Sequence, residues 1–303
     1  MKIAFIGFGK IAFHHFRRLK TLFPESNIDI FLPGTEEIIG LCGGSLNIKP
    51  KNLVSFEKYN IGVICSPTYT HFEYINFASN FDYLIIEKPL LDYVSLLKSG
   101  LSKENIIEHI HYLNSSSDNV LVNYASKFYI DSIDTSRLKK YSLDFIFHSV
   151  GQQENEYLFQ DLLPHAVAIF KEYIGKDLID LNLSGSFVEI NRAENQIRAS
   201  FEFGEFRLNV DFKESSSLDQ KQFKIICDKK DSYLRVQKGY GETYKVYLEF
   251  MGRGQIEITD PFDSFWRDIY DHVKNKKKKN FEKIDVNMEK FQIQLIEEVL
   301  NAL

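Results

Sequence analysis

The sequence predicts a two-part chain: an α/β part with a doubly wound parallel sheet over residues 1–124, then an α+β part with an open, mostly antiparallel sheet over residues 125–303. Three observations predict this. Up to residue 124, short apolar runs of strand length alternate with segments of helical period, as in strands joined by crossover helices. Beyond it, runs alternate apolar and polar residues and are joined by turn signals, as in antiparallel strands with one covered face. The length, 303 residues, allows two cores of ordinary size.

The first strand is the apolar run ending at Ile6, followed by Gly7-Phe8-Gly9-Lys10-Ile11-Ala12. Ala12, Phe16, Leu19 and Phe23 then recur at spacings of 4, 3 and 4, an amphipathic helix. His14, His15, Arg17, Arg18 and Lys20 lie largely off that stripe and read as a solvated face. Strand, glycine turn and helix form the context in which G-x-G-x-x-A is a dinucleotide fingerprint. Gly7 allows the tight turn, Gly9 lets the backbone approach a pyrophosphate, and Ala12 allows close helix–strand packing. Residues 27–32 form the second strand, and its tip reads Phe31-Leu32-Pro33-Gly34-Thr35-Glu36-Glu37. Glu36 is the nearest carboxylate for a ribose, and no Arg or Lys stands there for a 2′-phosphate, so the balance tips slightly to NAD over NADP.

Residues 60–65 form the next buried strand, followed by Ser66-Pro67-Thr68-Tyr69-Thr70-His71 and a helix with Phe72, Ile75 and Ala78 as core contacts. The strand after it, Tyr83 to Ile86, ends in Glu87-Lys88-Pro89-Leu90. Pro89 has no N–H for a ladder and biases Lys88 to extended backbone. Ligands collect at the carboxyl ends of strands in open α/β sheets, so this charged pair is a candidate site. A weakly amphipathic segment around 93–111 and a short strand at 120–124 complete this part.

In the second part, residues 141–150, 196–203, 206–213 and 244–250 alternate, with hairpin turns at Gly204-Glu205 and at Asp228-Lys229-Lys230-Asp231. The polar face carries Arg198, Glu202, Arg207 and Asp211. A helix is embedded among these strands. Pro164 is tolerable in a first turn, which predicts a start near Asp161, with Asp161 and His165 on one face. The basic run at 274–280 reads as a solvated loop, and a helix over 287–303 closes the chain.

Composition excludes several classes. A net charge of -5 without a basic stripe gives no support for nucleic acid as a partner. No apolar run reaches the ~18 residues of a membrane span. The N-terminus is too short and wrongly flanked for a signal peptide. Cys42, Cys65 and Cys227 are few, odd in number and far apart, as expected of reduced thiols in a cytoplasmic protein. No cluster has metal-ligand spacing, so no metal is expected.

Four motifs, Gly7-Phe8-Gly9-Lys10-Ile11-Ala12, Cys65-Ser66-Pro67-Thr68-Tyr69-Thr70-His71, Glu87-Lys88-Pro89 and Asp161-x-x-x-His165, stand in this order along the chain. Together they resemble the Gfo/Idh/MocA (glucose–fructose oxidoreductase / inositol dehydrogenase) family over nearly the whole length, including Asp260-Pro261-Phe262 before a helix. The resemblance implies a Rossmann-type domain holding NAD or NADP and a substrate, a sugar, polyol or nucleotide-sugar, bound between it and the second domain, while the open, aromatic-rich antiparallel sheet is expected to bury one face in a homodimer or homotetramer. It implies cofactor contacts from Gly7, Gly9, Lys10, Ile11 and Ala12, from Ser66, Pro67, Thr68 and His71, and from Glu87 and Lys88. On the substrate side it implies Asp161 and His165, with Asn123 and Lys127 where the family often has Asn followed by Arg. Lys127 departs from that Arg, Asn80-Phe81-Asp82 replaces a common glycine turn, and the second-strand tip lacks the expected acid.

Hydride transfer at a secondary alcohol needs a proton acceptor or donor. Lysine has an ordinary pKa near 10.4, which desolvation and a positive nicotinamide would lower. Histidine titrates near working pH. Lys88 and His165 are both candidates, with Asp161 orienting either or binding a substrate hydroxyl. Two other readings stand beside this one: a non-catalytic regulator that keeps the fold and binds a dinucleotide or metabolite, and a reductase of imines or enamines that uses the same interdomain cleft with a different proton donor.

Overall fold

A computed structural model describes residues 1–32, 47–50, 58–116, 119–216, 221–238, 245–250, 254–275 and 284–303. Glu36, Cys42 and residues 276–280 of the basic run lie outside them. The elements in chain order are β1 (Lys2–Ile6), α1 (Lys10–Leu22), β2 (Asn27–Leu32), β3 (Asn47–Pro50), β4 (Tyr59–Ile64), α2 (His71–Ile75), β5 (Phe81–Ile86), α3 (Tyr93–Lys98), α4 (Lys103–Ser116) and β6 (Val120–Val122). A 3₁₀ segment, Ala125–Ser132, leads on to β7 (Ser142–Val150), α5 (Asn155–Ile174), β8 (Gly185–Asn191), β9 (Gln196–Phe203), β10 (Phe206–Ser215), β11 (Gln222–Cys227), β12 (Asp231–Lys238), β13 (Lys245–Phe250), β14 (Gly254–Ile258), α6 (Pro261–Asn275) and α7 (Val286–Asn301).

The chain divides into two compact units, threaded rather than consecutive. The first comprises Met1–Asp92, Glu104–Asn123 and Phe265–Val286, and the second Tyr93–Lys103, Tyr124–Ser264 and Asn287–Leu303.

The first unit is built on a six-stranded sheet of order β3-β2-β1-β4-β5-β6, with every pairing parallel. Ile3 to Ile6, Ile61 to Ile64 and Leu84 to Ile86 are buried without alternation, the mark of strands covered on both faces. Helix α1 buries Ala12, His15, Phe16 and Leu19 at the i, i+3, i+4, i+7 spacing of a core-facing stripe. The expected contact at Phe72 is not made. That ring is exposed, and Tyr74 and Ile75 are the residues of the short α2 that turn inward.

The second unit carries an eight-stranded sheet of order β14-β13-β12-β11-β7-β10-β9-β8. The β7–β10 pair is parallel and the other pairings are antiparallel. Gly204 takes φ +62 in the β9–β10 turn, as a tight hairpin requires. Helix α5 covers the apolar face, where Phe159 packs against Phe212 (5.6 Å) and Phe201 (6.3 Å). On the other face Asp211 accepts from Gln196 (2.6 Å), His148 (3.2 Å) and Arg198 (3.3 Å).

Helix α5 begins at Asn155, earlier than the expected start near Asp161, and Pro164 lies inside it. An interior proline costs about 3 kcal/mol of helix propensity. Leu158, Phe159, Leu162 and Leu163 are all buried, at about 1.5–3 kcal/mol each, and that burial carries the helix through the proline. Gly175 ends it in the left-handed region at φ +64, its N–H bonded to the Lys171 carbonyl.

No described helix is long and apolar enough to cross a membrane. Among the described residues, no group of three or more His, Cys, Asp or Glu side chains is placed to hold a metal.

Candidate active site

The expected site residues of the first unit line up along the carboxyl edge of its sheet. Gly7 N–H bonds the Phe31 carbonyl (2.8 Å), Cys65 N–H that of Ile6 (2.8 Å), Glu87 N–H that of Ile64 (2.9 Å) and Asn123 N–H that of Ile86 (2.8 Å). Each strand's exit is thereby tied to its neighbour. The glycine turn, the Cys65-Ser66 loop, the Glu87-Lys88 pair and Asn123 stand side by side where this fold binds ligands.

Gly7 has φ +81, and a Cβ there would come within 2.6 Å of the Ser66 nitrogen, so both backbone angle and space demand glycine. Gly9 differs, since a Cβ there would meet nothing within 4 Å. It stands at the N-cap of α1, with no side-chain cap and no acid in the first turn, and Lys10 exposed just after it. An uncapped helix N-terminus beside an open glycine suits a phosphate group, whose charge complements the helix dipole. Ile11 is half-buried, and Ala12 is buried against the sheet.

In the next loop Pro67 is exposed, Thr68 half-exposed and Ser66 buried, with Ser66 Oγ 2.7 Å from Thr70 Oγ1. His71 is buried, and its nitrogens face main-chain oxygens: Nε2 to Ser66 (2.9 Å), Nδ1 to Pro89 (3.1 Å) and Leu90 (3.3 Å). In the neutral ring the single N–H donates to one of these carbonyls, and the imidazole packs between the Ser66 loop and the segment after Lys88. Burial pushes its pKa below the ordinary histidine value of 6.5, outweighing those carbonyls and the Glu87 charge, which act the other way. Burial, helped by Glu87, likewise pushes the Cys65 thiol well up, which makes it a poor nucleophile.

Glu87 is buried at the end of β5. Its Oε1 lies 2.5 Å from His15 Nε2 and accepts from Asn123 Nδ2 at 2.5 Å. Burial alone would raise its pKa. The His15 hydrogen bond, the Lys88 charge and the Asn123 amide act the other way, favouring the carboxylate. Lys88 is half-buried, and its bond to Pro89 is cis.

His15 corrects the sequence reading, which put it on a solvated face. It lies three residues after Ala12 and four before Leu19, on the buried stripe of α1, and is fully buried. Its Nδ1 accepts the indole N–H of Trp266 at 2.9 Å. The signal for this was available in the 3.6-residue period at position 15, whereas the partners, 72 and 251 residues away, were not readable.

In the second unit Asp161 and His165 sit mid-helix on α5, four residues apart and both half-buried. The His165 ring lies 5.6 Å from Phe147 of β7, and its carbonyl accepts from Ser126 Oγ at 3.4 Å. Lys127, on the same 3₁₀ segment as Ser126, holds its ammonium 5.4 Å from the Phe128 ring centroid.

No protein-family model matches the sequence, and no curated protein matches it. Solved structures do. UDP-N-acetylglucosamine 3-dehydrogenase GnnA from Acidithiobacillus ferrooxidans matches at TM-score 0.68 and 12% identity, covering 100% of this chain and 97% of that one. A probable dehydrogenase from Thermotoga maritima matches at 0.67 and 14%, covering 100% and 97%. A myo-inositol dehydrogenase from Corynebacterium glutamicum matches at 0.64 and 14%, covering 100% and 96%. At these identities the likeness establishes the fold, and it is the fold the motif set implied.

Proposed function

We propose that this chain, with the two-part fold it shares with those dehydrogenases, is an NAD(P)-dependent oxidoreductase that takes a hydride from a CH–OH group of a sugar, polyol or nucleotide-sugar, or returns one to the corresponding carbonyl. The observation that carries the reading is the row at the sheet edge, where Gly7, Cys65, Glu87 and Asn123 leave adjacent parallel strands and Lys88 follows the buried carboxylate.

The residues present fit a dinucleotide. Gly9 and the first N–H groups of α1 would take the pyrophosphate, with Lys10 and Ile11 beside it and Ala12 packed beneath, and Pro67 and Thr68 would border the nicotinamide ribose, with the buried Ser66 and His71 holding their loop. When bound, the nicotinamide supplies the hydride donor or acceptor. Everything else falls to the chain. Lys88 or His165 takes the hydroxyl proton in oxidation and returns it in reduction. Asp161, one turn before His165, orients that ring or binds a substrate hydroxyl. Glu87 keeps a negative charge beside Lys88. The chain would work as a homodimer or homotetramer through the polar face of the second sheet, and a clean monomer in sedimentation at micromolar concentration refutes that part.

Thermal shift with NAD, NADH, NADP and NADPH, then with nucleotide sugars on the tightest complex, tests the proposal. A ligand at about 100 times its Kd adds about 2.7 kcal/mol and raises Tm visibly. No shift with any of the four refutes the nicotinamide reading. A shift without turnover on a broad sugar panel replaces the enzyme with a dinucleotide-binding regulator.

A further inference from the structure

The first unit buries a polar side chain to which the proposed reaction assigns no step. Position 15 lies on the core stripe of α1, where a leucine would satisfy the packing, so a fully buried histidine there calls for a cause. Both ring nitrogens are engaged. An indole N–H can only donate, so the bond from Trp266 requires a lone pair on Nδ1. The single ring proton therefore sits on Nε2, 2.5 Å from Glu87 Oε1. In that tautomer the ring acts on the carboxylate through its Nε2–H hydrogen bond. Trp266 is itself fully buried, its ring edge-on to the imidazole at 5.5 Å and 81°. Asn123 completes the arrangement by donating to the same carboxylate oxygen. Two elements thus meet at one oxygen, α1 through His15 and the exit of β6 through Asn123, and α6 backs the first of them through Trp266.

We infer that His15 is a positioning residue: held in a single tautomer by Trp266, it sets the Glu87 carboxylate and hence where the negative charge stands beside Lys88. The inference rests on the oxidoreductase reading for its functional meaning. Its physical content is the coupling of His15 to Glu87. A buried carboxylate that loses one of two donors either turns to find another or gives up its charge, and the sheet edge loses a fixed point in both cases.

The test is a cycle of His15→Leu, Glu87→Gln and the double variant, with His15→Gln as the conservative replacement. Two readouts apply to all of them: the dissociation constants of NADH and NADPH, followed through emission of Trp266, the one tryptophan of the chain, and urea unfolding. Ring ¹⁵N spectra of histidine-labelled wild type report the tautomer without any ligand. The expected spectrum shows a protonated Nε2 and a bare Nδ1 for His15. His15→Leu weakens dinucleotide binding about tenfold, the equivalent of one charge-assisted hydrogen bond. His15→Gln, whose amide can still donate, recovers most of that loss. In the Glu87→Gln background, His15→Leu changes the constants less than about threefold. Equal losses in both backgrounds, or a proton on Nδ1, overturn the inference. If wild type binds neither dinucleotide, the oxidoreductase reading fails by itself, and the unfolding cycle and ring spectrum still decide the coupling. If His15→Leu does not fold, Trp266→Phe takes its place, with binding followed by calorimetry. Loss of the single-tautomer spectrum together with weaker binding supports the inference, and an unchanged spectrum overturns it.

Discussion

The Tyr93 hydroxyl donates to Glu289 Oε2 across 2.6 Å, although 196 residues separate the two. Tyr124 donates to the other oxygen, Oε1, of the same fully buried carboxylate. These bonds help to gather α3, the residue before the 3₁₀ segment and α7 into the second unit. Burial, followed by the Glu289 charge, pushes the Tyr93 pKa well above its ordinary value, so its hydroxyl stays a donor. Glu289→Gln turns an acceptor towards its tyrosine into an amide donor and is expected to cost about 1–3 kcal/mol in urea unfolding. Tyr93→Phe leaves one carboxylate oxygen short of a donor and costs a similar amount. An unchanged midpoint for both variants would show that the carboxylate is not a structural tie.

The two fingerprint glycines should separate under mutation. Gly7→Ala forces a Cβ to within 2.6 Å of backbone at φ +81, and a stability loss above about 2 kcal/mol is expected together with lost dinucleotide binding. Gly9→Ala meets open space and should shift stability by less than about 1 kcal/mol. It should nonetheless weaken NAD(H) binding at least about tenfold, because its methyl occupies the approach of the pyrophosphate. Parallel thermal and binding measurements on the two variants check this contrast.

His71 gives the protein an acid-sensitive step. Its folded pKa lies below its unfolded value, so the unfolded chain takes up the proton first as pH falls. Its contribution is intact above the unfolded value of about 6.5 and is lost as pH falls from there through the folded value. Tm measured between about pH 8 and pH 5 should decline on the acid side of about 6.5, and His71→Asn should flatten that decline while lowering Tm at pH 8. A wild-type profile that is flat until the carboxylates titrate would rule this out.

Asp228 offers the carboxylate counterpart. It accepts from the N–H groups of Tyr141 (2.8 Å), Lys140 (3.0 Å) and Ser142 (3.0 Å), fixing the entry into β7. Burial raises its pKa, but the three N–H donors and Tyr173 lower it by more. The stabilisation is therefore present above the unfolded value of 3.8 and fades as pH falls through the folded one. Asp228→Ala should cost about 1–3 kcal/mol at pH 7 in urea unfolding, and the gap from wild type should shrink below about pH 4.

Part of the architecture could be read residue by residue. The strand ending at Ile6 and the strand over 27–32 stand where the apolar runs predicted them, and Gly204-Glu205 joins β9 to β10 as a two-residue turn. The glycine turn, the Ser66 loop and the Glu87-Lys88 pair could be located because each follows a strand. The start of α5 could not. A proline rule predicts a beginning near Asp161, and only the buried Leu158 and Phe159 show that packing overrides it. His15 was legible as a position on a stripe but not as a partner of Glu87.

By itself the sequence determined what depends on near neighbours: the change from crossover α/β to alternating strands, the turns, and the order of the motifs. Periodicity and turn chemistry act over a few residues, so they survive without the fold. The tertiary structure decided what depends on distant residues meeting in a dry interior. It brought the strand exits at Gly7, Cys65, Glu87 and Asn123 into one row, gave Glu87 its two donors, and placed Trp266 behind His15. A buried polar atom must find a partner wherever the chain folds one to it, and nothing in its local sequence says which residue that is.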